Sequence, residues 1–190
     1  MISNVFLAVV VAGACSLPGL AQVKPLDPAN SKITIHASKT GVFSFAAHDH
    51  VVEAPITSGQ VDENKKTVTV QIQTKNLRVL DPGESEKNRA EIQQTMLSSK
   101  LLDAEKYPEI SFRSKSYRQD GGDSAEVGGE LSLHGAVRSI TLKVKKGGDH
   151  WTGSTRLKQT DFGMQPISLA GGTVKAKDEV RIEFDVVVKE

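Results

Sequence analysis

The chain has 190 residues and one cysteine, and its 24 Lys and Arg nearly balance 23 Asp and Glu, for a net charge of +1. Without a basic block there is no concentrated positive face for phosphate, so nucleic acid is not an expected partner. Cys15 lies in an N-terminal apolar segment expected to be removed, which excludes a disulfide framework and a cysteine nucleophile from the remainder.

The first element in chain order is a leader. An apolar run from Val5 to Cys15 is followed by Pro18, Gly19 and a small-x-small site at Gly19-Leu20-Ala21, the pattern of a secretory signal peptide over residues 1–21 cleaved after Ala21. The run falls short of the roughly 20 residues of a membrane span. The expected mature protein is one domain, residues 22–190, periplasmic or secreted, with no integral membrane segment. The minor alternative is "AGAC" at Ala12 to Cys15, a weak lipoprotein box that would leave the chain anchored through Cys15.

Alternating apolar and polar residues begin at "SKITIHAS", the period of a half-buried strand. "FSFAAHDHVV" follows. Extended geometry places His48 and His50 on one face, with Phe43, Phe45 and Asp49 on the other. If the phenylalanines point inward, the histidines point out, unless a β-bulge reverses the order. Zinc needs three or four ligands, and His48 with His50 supply half a site, with His36, Glu53 and His134 as unplaced candidates for the rest. Strand-end histidines bonded to backbone or water are the favoured reading, and no metal or other cofactor is expected.

"TVTVQIQT" is the next strand. In "DPGESEKNRAEIQQTMLSSKLLDAEKYP" Asp81 can cap a helix, with Pro82 at its first position and Glu84 completing a capping box; Ile92 and Met96 then recur at i, i+4. One helix or two short ones are expected there, with Met96, Leu97, Leu101 and Leu102 facing inward, ending before Tyr107-Pro108. Alternation resumes in "EISFRSKSY", "EVGGELSLH", "SITLKVKK", "TGSTRLKQT" and "EVRIEFDVVVK", separated by turn-rich pieces that suit antiparallel hairpins. The parity gives an apolar inner face of Val68, Val70 and Ile72; Ile110 and Phe112; Leu131 and Leu133; Ile140, Leu142 and Val144; Ile182, Phe184 and Val186. Between strands, His134 is expected to cap a turn in which Gly135 supplies backbone freedom, the alternative being contact with a ligand head group at a rim. Asp161 reads as a turn former before Gly163. About eight strands in one all-β domain form a sandwich or a closed barrel.

"LDAEKYPEISFRS" and "GELSLHGAVRSITLKV", together with "FSFAAHDH", "KQTDFGM" and "DEVRIEFDV", resemble the YceI family of exported, lipocalin-like polyisoprenoid-binding proteins. The resemblance implies a single antiparallel eight-stranded up-and-down barrel with a short helical insertion near its mouth. It also implies a non-enzymatic binding or carrier function. A long isoprenoid or acyl chain would occupy the lumen, against Phe43, Phe45, Val70, Ile72, Met96, Leu97, Ile110, Phe112, Leu131, Leu133, Leu142 and Phe184. This chain departs from the family at Gln93 to Ser98, where a His is common, and at Asp49-His50, where Leu and Gly often follow the first His. The alternatives are a metal-binding or metal-dependent protein using His48-Asp49-His50, and a structural barrel with a filled core; a homodimer of two barrels stays open.

Overall fold

A computed structural model describes residues 23–40, 49–169 and 174–189. Its strands are β1 (Val23–Pro25), β2 (Lys32–Thr40), β3 (His50–Glu53), β4 (Ser58–Asp62), β5 (Thr67–Gln73), β6 (Arg78–Val79), β7 (Glu109–Gly121), β8 (Ser124–Leu133), β9 (Ala136–Gly147), β10 (His150–Lys158), β11 (Ser168–Leu169) and β12 (Val174–Val187), with one α-helix, α1 (Glu86–Leu97). They form a single antiparallel sheet ordered β1-β4-β5-β7-β8-β9-β10-β12-β2-β3-β6, with β11 paired to β12. Among the described residues no helix is long and apolar enough to cross a membrane.

The sheet curls back on itself because β3 and β4 are two halves of one bent segment. Its first half pairs with β2 and its second with β5; between them Ala54 N donates to Ile33 O at 2.9 Å and Thr57 N to Gln71 O at 2.8 Å. With β3 and β4 taken together, the staves run β2, β3/β4, β5, β7, β8, β9, β10, β12 in chain order. That is an eight-stave meander. The twelve strands among the described residues exceed the expected eight through this split and through short β1, β6 and β11. The seam is fastened by an isolated bridge between Leu26 and Val188, which are buried together with Ile56.

Period-two alternation makes the inner face apolar, and two glycines let the large rings on it lie flat. A Cβ at Gly129 would stand 2.5 Å from Phe112 Cζ and 2.6 Å from Arg113 O, and one at Gly153 would stand 2.5 Å from Phe184 Cζ. Both rings therefore rest against bare backbone on the neighbouring strand. Gly129→Ala is expected to lower the unfolding free energy by about 1–3 kcal/mol, since one of the two obstructing atoms is backbone and cannot yield. A denaturant melt measures it; an unchanged midpoint would mean that the ring has somewhere else to go.

The helical insertion begins later than its first capping signal. Ser85, not Asp81, is the N-cap, its Oγ accepting from Asn88 N at 3.1 Å. Asp81 is 2% exposed and accepts from Val51 N at 2.7 Å and from His50 Nδ1 at 2.6 Å. A carboxylate engaged by β3 is not available to a helix end. Between β8 and β9 the hairpin loop is His134-Gly135, with φ of 51° and 74°, the left-handed pair that matches strand twist in a two-residue loop.

Candidate functional site

The described side chains leave a cavity of about 810 Å³ along the barrel axis, within the range of small-molecule sites. A methylene occupies about the volume of a water in the liquid, roughly 30 Å³, so the space suits roughly 27 chain atoms. The described side chains therefore do not fill the barrel.

Val70 and Ile72 on β5, Ile110 and Phe112 on β7, Leu131 and Leu133 on β8, Leu142 on β9, Phe184 on β12, and Met96 on α1 all line the cavity. Leu97 differs: it packs against the surrounding core but is not on the cavity wall. Phe43, Phe45 and His48 lie outside the described residues. Ile33 and Ile35 on β2 and Trp151 and Leu157 on β10 complete the wall; their alternation was visible in "KITIH" and "WTGSTRL". Phe162 and Met164 carry no such periodicity.

One end of the cavity is covered by apolar residues from two connections. Leu77, just ahead of β6, and Met96 and Leu102 from the helical insertion come from the β5–β7 connection, and Phe162 and Met164 from the 3-10 turn Gln159–Phe162 and its exit. All five are buried. His134 Nδ1 donates to Phe162 O at 3.0 Å, its ring centroid 4.4 Å from that of Tyr107. The histidine is thus both a hairpin residue and a strut that joins the "KYP" segment to the "TDFGM" turn. Gly163 ends that turn at φ 74°, and Asp161 is exposed within it.

Asp178 anchors the same turn, accepting from Thr160 N at 2.9 Å and Thr160 Oγ1 at 2.7 Å. The Thr160 backbone bond foremost, then its hydroxyl, holds the Asp178 carboxyl below the usual carboxylate range. A depressed folded value means that this anchoring is complete above the unfolded carboxyl's ordinary value, about 4, and is lost as pH falls through the folded one. Protection of the Thr160 amide from hydrogen exchange, taken relative to its intrinsic rate, is expected to fall in acid but stay flat near neutrality; in Asp178→Asn the acid step should vanish, and its persistence would place the titrating group elsewhere.

His50 sits on the inner parity, opposite Ala37 and two residues from cavity-lining Val52. The phenylalanines from which alternation predicts an outward placement lie outside the described residues; the pairing of β3 with β2 sets the face of His50, whose ring is held to Asp81 and is not on the cavity wall. Asp49 points the other way, accepting from Lys39 N at 3.1 Å. The remaining candidate ligands are not brought together. His36 lies beside Glu183, at 3.1 Å, on the opposite parity to the cavity-lining Ile35, and His134 is committed to Phe162. No group of three or more His, Cys, Asp or Glu positioned for a metal occurs among the described residues.

The sequence profile of the YceI-like domain matches residues 25–188. A UPF0312 protein of Pseudomonas putida (strain W619) is 35% identical over 88 residues, 41% of this chain and 46% of that protein. One of Vibrio parahaemolyticus is 32% identical over 115 residues, 55% and 59% of the two chains. The chain thus spans about half the length of the curated relatives it matches. Among solved structures, Burkholderia cenocepacia BcnA superposes with a TM-score of 0.61 at 20% identity, over 86% of this chain and 99% of that one. The Campylobacter jejuni YCEI protein gives 0.50 at 18% identity, over 73% and 81%. At these identities the structural likeness bears on the fold alone.

Proposed function

The chain belongs to the YceI-like domain family, and from that premise we propose that it is a non-enzymatic carrier that sequesters a long apolar chain, isoprenoid or fatty-acyl, in its barrel. The observation that carries this reading is the cavity of about 810 Å³ walled by aliphatic and aromatic side chains from all eight staves. Twenty buried methylenes contribute about 16 kcal/mol gross, which offsets association costs of about 4–15 kcal/mol without any catalytic group. The apolar leader ending at Ala21 supports carriage in an aqueous compartment outside the cytoplasm.

Protein purified without detergent from its native host, extracted with organic solvent and examined by mass spectrometry, is expected to release a long-chain apolar compound near one per barrel. A barrel that emerges empty, and that also takes up no chain from mixed lipid vesicles, would refute the proposal. The intact mass of the same sample reads the N-terminus: Gln22 for cleavage after Ala21, or a diacylglyceryl adduct on Cys15 for the anchored form.

A further inference from the structure

The two ends of the cavity differ in chemistry. The insertion end is closed mainly by Met96, Leu102, Phe162 and Met164, with Lys158 and Gln159 also on its wall, whereas the hairpin end carries four lysines, Lys24, Lys66, Lys146 and Lys189. On β5 the inner row reads Ile72, Val70 and Val68 and is continued by Lys66 in the turn just ahead of the strand, and on β9 it reads Ile140, Leu142, Val144 and then Lys146; all of these line the cavity. Lys145, the neighbour of Lys146 on β9, has the opposite parity, and Lys65 is paired with Asp62 at 3.3 Å. Each of the two inner lysines stands over an aromatic ring on the adjoining wall, Lys66 Nζ 5.3 Å from the centroid of Tyr117 and Lys146 Nζ 5.4 Å from that of Trp151. Lys24 and Lys189 line the same end, with Glu63 and Asp149 as the acidic members. Glu63 is taken by Lys24 at 3.3 Å, and Asp149 approaches His150 at 3.9 Å. Among the described residues no ion pair involves Lys66 or Lys146.

A lysine on the last inward rung lays its methylene stem on the apolar wall and keeps its ammonium in water at the opening. An anion cannot be left among the aliphatic side chains of the lumen without a large desolvation cost, so a charged head has to stay at a mouth. Resting on the carrier reading above, we infer that the occupant is an amphiphile with an anionic head, carboxylate or phosphate, held tail-inward with its head between Lys66 and Lys146. Tyr117 and Trp151 flank the point where chain gives way to head, as aromatic rings with one apolar and one wet edge do at interfaces.

The test compares oleic acid with oleyl alcohol, and geranylgeranyl phosphate with geranylgeraniol, at a pH where both acids are ionised. Each anion is expected to bind about tenfold more tightly than its neutral counterpart at low ionic strength, two exposed ion pairs supplying roughly that factor. The advantage should shrink as salt is added. In the Lys66→Gln/Lys146→Gln double variant it should disappear while affinity for the neutral chains is kept, which also reports that the variant is folded; both positions are exposed. The larger of the two gains, carboxylate or phosphate, identifies the head. Equal binding of anion and neutral chain by the wild type, or a double variant that loses both alike, would overturn the head-group inference and leave the carrier intact. Failure of all four chains to bind would overturn the carrier reading and this inference with it.

Discussion

Phe112→Glu and Leu133→Lys are each expected to yield a folded barrel that carries no lipid. Phe112 is 9% exposed, mid-strand on β7 with its ring over Gly129, and Leu133 is the last inward residue of β8; both line the cavity. An ionised group at either place occupies the volume the hydrocarbon needs, and an unpaired charge against a bound chain is too costly to coexist with it. Once the chain is gone, a space of about 810 Å³ has room for water around the new charge, so the fold should survive with a loss of a few kcal/mol. Lipid content by mass spectrometry and a denaturant melt read the two effects separately. If both variants fail to fold, the wall behaves as a packed core; if both fold and retain lipid at wild-type stoichiometry, the ligand lies outside the lumen. Phe112→Leu, which keeps the wall apolar, should retain its lipid.

The second large effect is expected at Asp81. Replacement by Ala removes the acceptor for Val51 N and for His50 Nδ1 at a place 2% exposed, and an orphaned N–H together with a second lost hydrogen bond costs about 2–4 kcal/mol. His50→Ala should cost less, about 1 kcal/mol, because the His50 side chain is 39% exposed and water can replace it while the Val51 bond remains. Asp81 also ties the start of the insertion to β3, beside the bond from Leu80 N to Val51 O at 2.8 Å. The insertion supplies Met96, Leu101 and Leu102 to the closed end. Asp81→Ala should therefore speed transfer of a bound chain to vesicles as well as lower the melting temperature. A destabilised variant with wild-type transfer kinetics would show that the chain leaves through the lysine-rimmed end instead.

What the sequence by itself determined is the local periodicity and its consequence. Alternation in "TVTVQIQT", "EISFRSKSY" and "SITLKVKK" assigns Val70, Ile72, Ile110, Phe112 and Leu142 to one face, because successive side chains on a strand point to opposite sides whatever the partner. The meander is legible in the same way, since turn-rich breaks between such runs favour pairing of neighbours in the chain. The lysines at the ends of two inner rows are in plain view as well, as "TVTV" preceded by Lys66 and "LKV" followed by Lys145 and Lys146.

Tertiary structure decided the features that depend on contacts far along the chain. Asp81 and Ser85 offer comparable capping oxygens, and only the approach of Val51, thirty residues earlier, takes the first away from the helix. A register shift between Ser114 and Ser116 turns Tyr117 inward, because a single extra residue reverses every later side chain on that strand. His50 shares the parity of Val52 and meets Asp81 because β3 pairs with β2 in one register and not the next. Tyr107, His134 and Phe162 meet only when three connections are brought to the same end, and Lys66 and Lys146 share a mouth only because successive hairpins return the chain to one rim. A strand's period is set within a few residues by backbone geometry, whereas which polar groups find one another is set by closure of the barrel, and no stretch of local sequence contains that distance.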